Sequence, residues 1–100
     1  MRHDHPVQPW GFVCPEDAPK PDPRFATMDP HWFLDRLVKL GFPCLDNPTV
    51  TEHCWVYVWG LRGGTLLCGV LDNDPVHNIG AVCGDEVHFT QDEIEAVWED

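Results

Sequence analysis

The stretch Glu52-His53-Cys54-Trp55-Val56-Tyr57-Val58-Trp59 decides the fold. Its side chains alternate with a period of two: Cys54, Val56 and Val58 point one way, Trp55, Tyr57 and Trp59 the other, and both sets are apolar. A strand with two apolar faces predicts a central place in a sheet covered on both sides. Gly60-Leu61-Arg62-Gly63-Gly64 supplies a turn, and Thr65 to Leu71 returns as the second strand of a hairpin. Asp72-Asn73-Asp74-Pro75 then stops the ladder, because Asp and Asn side chains bond to nearby backbone and Pro has no N–H to donate. A shorter strand is expected to begin at Val76.

Downstream, Gly84-Asp85 predicts another turn before a strand over Glu86 to Phe89. Thr90 and Glu93 have the spacing of a capping box, which predicts a short C-terminal helix through Ile94, Val97 and Trp98. Upstream, Asp29 as N-cap, Pro30 in the first helical position and Gly41 past the end predict a helix over 29–41. Its apolar residues Phe33, Leu34, Leu37 and Val38 fall on one face, and Asp35 and Lys39 stand four apart on an exposed one. Residues 1–24 hold six prolines and read as an extended arm, with Trp10, Phe12 and Val13 expected to pack onto the body. The chain thus reads as one α+β domain over 1–100. It is a small curled antiparallel sheet, SH3-like or a partial barrel, with one packed helix, a short C-terminal helix and a Pro-rich N-terminal arm.

The C-terminal half resembles the YegJ-like family of small bacterial domains of unknown function. The resemblance rests on Glu52-His53 followed by Trp55-Val56, Gly69-Val70-Leu71, Asn73, Pro75-Val76, Gly84-Asp85 with Val87, and Asp92-Glu93-Ile94 with Trp98. It covers about residues 50–98. It implies a small curled antiparallel sheet with a helix packed on it, and brings no activity or catalytic residue set.

Composition narrows the function classes. The 100 residues carry six Lys or Arg against seventeen Asp or Glu, a formal charge of −11, which would repel nucleic acid. The 43% apolar content and five tryptophans suffice for a small core. Cys14, Cys44, Cys54, Cys68 and Cys83 are odd in number with no C-x-x-C pair, a pattern that fits reduced thiols in a cytoplasmic protein. The first thirty residues lack the apolar core of a signal peptide, and no apolar run approaches the roughly 20 residues of a membrane span.

Motifs for chemistry are weak. His53 and Cys54 are adjacent, but neighbours on a strand face opposite ways, so the imidazole could not take the thiol proton. His77 or His88 could meet a cysteine across the sheet, leaving a His/Cys metal-binding or thiol enzyme as a competing class. The spacing does not support zinc, since the only His-x-His is His3 and His5, although His3 could take Cu(II) or Ni(II) with a free amine. Asp72, Asp74 and Glu52 lack the calcium-loop pattern, and Gly63-Gly64 lacks the Lys of a phosphate loop. No cofactor is expected.

Two surface signals remain. Trp55, Tyr57 and Trp59 could stack on an extended peptide, or accept the chain's own Pro-rich arm. Residues 85–100 hold seven acidic residues, Asp85, Glu86, Asp92, Glu93, Glu95, Glu99 and Asp100, with no Lys or Arg. Such a field steers basic partners. The expectation is a non-enzymatic acidic domain acting by protein–protein contact with a basic partner, through Asp72, Asp74, Asp92, Glu93, Glu95, Glu99 and Trp59. An inhibitor that neutralises a toxin or defence protein, by covering its basic nucleic-acid-binding or catalytic surface, is the alternative.

Overall fold

The computed structural model describes residues 21–47 and 49–98. Five strands form one antiparallel sheet: β1 (Leu37–Pro43), β2 (Thr51–Arg62), β3 (Leu66–Leu71), β4 (Glu86–Phe89) and β5 (Ala96–Val97), in the order β4-β3-β2-β1-β5. The sheet is open, and helical structure among the described residues is confined to 3-10 turns at Pro23–Thr27, Pro30–Phe33 and Gln91–Glu93. The fold is mostly β, which corrects the α+β expectation with a packed helix.

The hairpin expected from the alternation is present. β2 is the central strand, with Cys54, Val56 and Val58 buried on the inner face. The ladder runs further than expected, to Arg62 against Leu66, so Gly60 lies within β2 and only Gly63 and Gly64, at φ 60 and 80, make the sharp bend. The register shifts between Val58 and Gly60, a bulge at Trp59.

The helix expected over 29–41 is replaced by a turn and a strand. Asp29 does cap, its Oδ1 accepting the His31 N–H at 3.0 Å, but the turn ends at Phe33. Leu34 is extended, and Asp35 takes φ 64, a left-handed conformation that Asp tolerates better than most residues. Beyond it, Val38, Leu40 and Phe42 alternate into the core while Lys39 faces outward. Pairing β1 with both β2 and β5 satisfies its backbone on two sides, which outweighs local helix propensity. Asp35 and Lys39 are therefore not helix neighbours.

The expected C-terminal helix is also absent, for a geometric reason. After β4, at one edge of the sheet, the chain must reach the far side of β1, four strand spacings of about 4.8 Å away, where it becomes the other edge strand. One 3-10 turn of three residues plus four extended steps covers about 19 Å, whereas a helix of similar length advances only about 10–13 Å. The capping box therefore starts a single turn, with the Thr90 N–H donating to Glu93 Oε1 at 2.8 Å. The chain then extends through buried Ile94 into β5, which pairs Val97 with Val38 and Ala96 with Lys39.

Short segments, in place of a helix, cover the inner face. Phe33 from the first two turns, Ile79 and Ala81 from the loop after β3, and Ile94 all join the core. The Asp22 N–H bonds Ile94 O at 2.9 Å, and the Gln91 amide bonds Phe25 O and Met28 O. No strand starts at Val76, which is exposed in that loop. Of the Pro-rich arm only residues 21–24 are described, so the expected docking of Trp10, Phe12 and Val13 lies outside the described residues, as do Cys14 and Glu99.

Candidate functional site

The outer face of the sheet carries the aromatic stripe. Alternation in β2 turns Trp55, Tyr57 and Trp59 away from the core, and the chain leaving β5 adds Trp98, held by its N–H to Leu37 O at 2.8 Å. The Trp98 ring meets Trp55 edge to face at 5.2 Å, and Lys39, paired with Trp55 across the ladder, places Nζ 5.7 Å from the same ring. Tyr57 donates its hydroxyl to Asp35 Oδ1 at 2.6 Å; that bond, then burial, raises the phenol above its ordinary value. Trp59 is 52% exposed and Trp98 53%, so no element among the described residues covers this face as a central strand with two apolar sides would require. Beside Trp98 lies a cleft of about 620 Å³ bordered by Arg24, Phe25, Trp32, Arg36 and Val97.

The acidic residues expected to form one surface are distributed over several. Asp72 and Asp74 are exposed on a turn bonded twice to Trp55: the Asp72 N–H donates to Trp55 O at 2.9 Å, and the Trp55 N–H donates to Asn73 Oδ1 at 2.7 Å. Asp92 is exposed in the crossing turn and accepts from the Thr90 hydroxyl. Glu93 is half-buried there, and burial pushes its carboxyl up despite the opposing bonds from Thr90. The Glu95 side chain is only 9% exposed and sits 2.7 Å from His53 Nδ1. Asp85 is buried and accepts the Val82 N–H at 3.0 Å.

Each described histidine pairs with a carboxylate: His31 with Asp29, His53 with Glu95, His77 with Glu52 and His88 with Glu86. The His88–Glu86 pair could be read from two-residue spacing on a strand. His53–Glu95 and His77–Glu52 join distant segments and have no local signature.

His53 and Cys54 are split across the sheet, as strand alternation requires, and burial pushes the Cys54 thiol up to about 11 against the hydrogen bond from Asn73. A nucleophilic role does not suit it. Cys44 lies elsewhere. It follows β1, its N–H bonded to Val50 O at 2.9 Å, and its sulfur joins Glu52 from β2 and His77 from the loop after β3, one atom of each within 4.8 Å of the others. Glu52 accepts from Val76 N at 2.6 Å and His77 N at 2.8 Å, and lies 2.7 Å from His77 Nδ1. Burial alone would raise this carboxyl, but those bonds outweigh it and hold it below its ordinary value. No family model, curated protein or solved structure matches the chain, and no described helix is long and apolar enough to cross a membrane.

Proposed function

We propose that this chain is a small, non-catalytic binding domain that contacts a protein with a basic surface through the outer face of its sheet. The observation that supports this is the pair of half-exposed tryptophans, Trp59 and Trp98, on a sheet face that also carries Trp55 and Tyr57. Tryptophan buries a large area at small entropy cost and dominates binding energy where it anchors a contact. The Asp72–Asp74 turn, bonded to Trp55, sets two exposed carboxylates beside that platform. With a net charge of −11, the long-range field draws cationic surfaces while the aromatic residues supply short-range affinity.

The test must avoid acids that hold the fold. Glu93 closes the capping box and Glu95 is packed on His53, so reversing either changes stability as well as charge. Capture from an extract of the source cells with wild type, Asp72→Lys/Asp74→Lys and Trp98→Ala, at low and high salt, is therefore the appropriate experiment. A basic protein should be retained by wild type, released by salt, and lost with both variants. Retention of the same protein by folded forms of both variants would refute this surface.

A further inference from the structure

We propose that Cys44, Glu52 and His77 form a zinc-binding site with an open fourth position. The two sides of the β1–β2 connection and the loop after β3 bring a thiol, a carboxylate and an imidazole together at one end of the sheet, with one atom of each within 4.8 Å of the others. Ligand atoms around tetrahedral zinc, at bond lengths of about 2.0–2.3 Å, stand roughly 3.3–3.8 Å apart. Reaching that geometry requires the cluster to tighten around Cys44 and the 2.7 Å contact between Glu52 and His77 to open by about half an ångström, as a cation enters between them.

The bonds of Glu52 to Val76 and His77 serve as a loop clamp, and a clamp made only of oxygen and nitrogen needs no sulfur. Cys44 adds the soft donor at the third corner, which selects zinc over the oxygen-seeking magnesium and calcium. Zinc takes Cys44 as thiolate, its proton released to solvent, and His77 as neutral imidazole with its proton on the other ring nitrogen. Thiolate and carboxylate together cancel the dipositive charge, which suits a site whose sulfur is buried. Access runs past His77: its side chain is 54% exposed, that of Glu52 11%, and Cys44 is buried. A fourth ligand such as water would come from solvent, where His77 is the most exposed of the three.

The test uses the full chain without an affinity tag, stripped with EDTA and titrated with Co(II) and then Zn(II). One equivalent of Co(II) should give a thiolate charge-transfer band, displaced by Zn(II). Cys44→Ser should abolish the band, and His77→Ala should weaken zinc by at least about tenfold, since even residues that merely orient ligands cost 10–100-fold. His3→Ala/His5→Ala and Cys83→Ser should change neither. His77→Ala keeps the test decisive if Cys44→Ser does not fold, because His77 is exposed. Absence of the band in wild type, or a band and affinity unchanged in His77→Ala, overturns the site.

Discussion

Removing Glu52 should release the loop that closes one end of the core. Its carboxylate accepts the N–H groups of both Val76 and His77 and pairs with the His77 ring, and the same loop delivers buried Ile79 and Ala81. A hydrogen bond to a charged acceptor contributes about 1.5–3 kcal/mol. Here both donors lie in an exposed loop and recover water once freed, which argues for the lower end of that range, about 3 kcal/mol for the two. The His77 side chain is more than half exposed, so its pair adds no more than about 1 kcal/mol. Glu52→Ala in EDTA should therefore lose roughly 2–4 kcal/mol in urea denaturation, with the slope unchanged. Amide exchange at Val76 and His77 should accelerate. Glu52→Gln is the sharper variant, because one of its two terminal groups is an NH₂ that meets an N–H donor where an acceptor is needed. It should fall close to Glu52→Ala. Destabilisation below about 0.5 kcal/mol with unchanged amide exchange in both variants would refute the clamp.

Two further substitutions probe the fold. A Cβ at Gly69 would lie 2.5 Å from Tyr57 O and 2.6 Å from Val56 Cγ1, so Gly69→Ala must push β2 and β3 apart and should cost about 3 kcal/mol, at the upper end of overpacking. Gly64→Ala, with nothing within 4 Å and only its positive φ to strain, should cost about 1–2 kcal/mol; equal losses in thermal denaturation would contradict the close approach. At Glu93, burial raises the carboxyl pKa, so the folded state binds the proton more tightly, and stability falls as pH rises from the ordinary value of 4.5 through the raised one. Glu93→Gln keeps an acceptor for the Thr90 N–H and should flatten that slope, whereas Glu93→Ala should lose about 1 kcal/mol. Parallel melting-temperature curves against pH for wild type and Glu93→Gln would count against this reading.

Signals carried by a few neighbouring residues within one segment were legible. Alternation in β2, the Asp72–Pro75 break, β4 and the capping box can each be read locally, and each is present, while the turn read over Gly60–Gly64 narrows to Gly63-Gly64 because β2 runs on to Arg62. Readings that depended on where a segment must go were not. Asp29 and Pro30 do start a turn, but Val38, Leu40 and Phe42 carry a period-two pattern that competes with the helical face read through Leu34, Leu37 and Val38. Docking between β2 and β5 decides between them. Only the strand order reveals that a C-terminal helix would be too short to cross the sheet. The grouping of Cys44, Glu52 and His77 is invisible to spacing for the same reason, since its members meet only after β1, β2 and the loop after β3 are assembled.

Many of the residues on which the expectation of a YegJ-like resemblance rests have a structural task here, although no family model matches the chain, and this bears on where function should be sought. Glu52 clamps the loop, Asn73 accepts the Trp55 N–H, and Gly69 allows β2 to approach β3. Gly84 takes φ 95 where its N–H bonds Leu71 O, Asp85 accepts the Val82 N–H, and Glu93 accepts the Thr90 N–H. A pattern made of clamps, caps and close approaches specifies a backbone and not a partner. The outer face of the sheet is set largely by residues outside that pattern, Tyr57, Trp59 and Lys39, with the acids Asp72 and Asp74 beside it and Trp98 contributed from within the pattern. If the proposed contact holds, substitutions among these should change partner capture while leaving the denaturation curve nearly in place, and substitutions among the clamps should do the reverse.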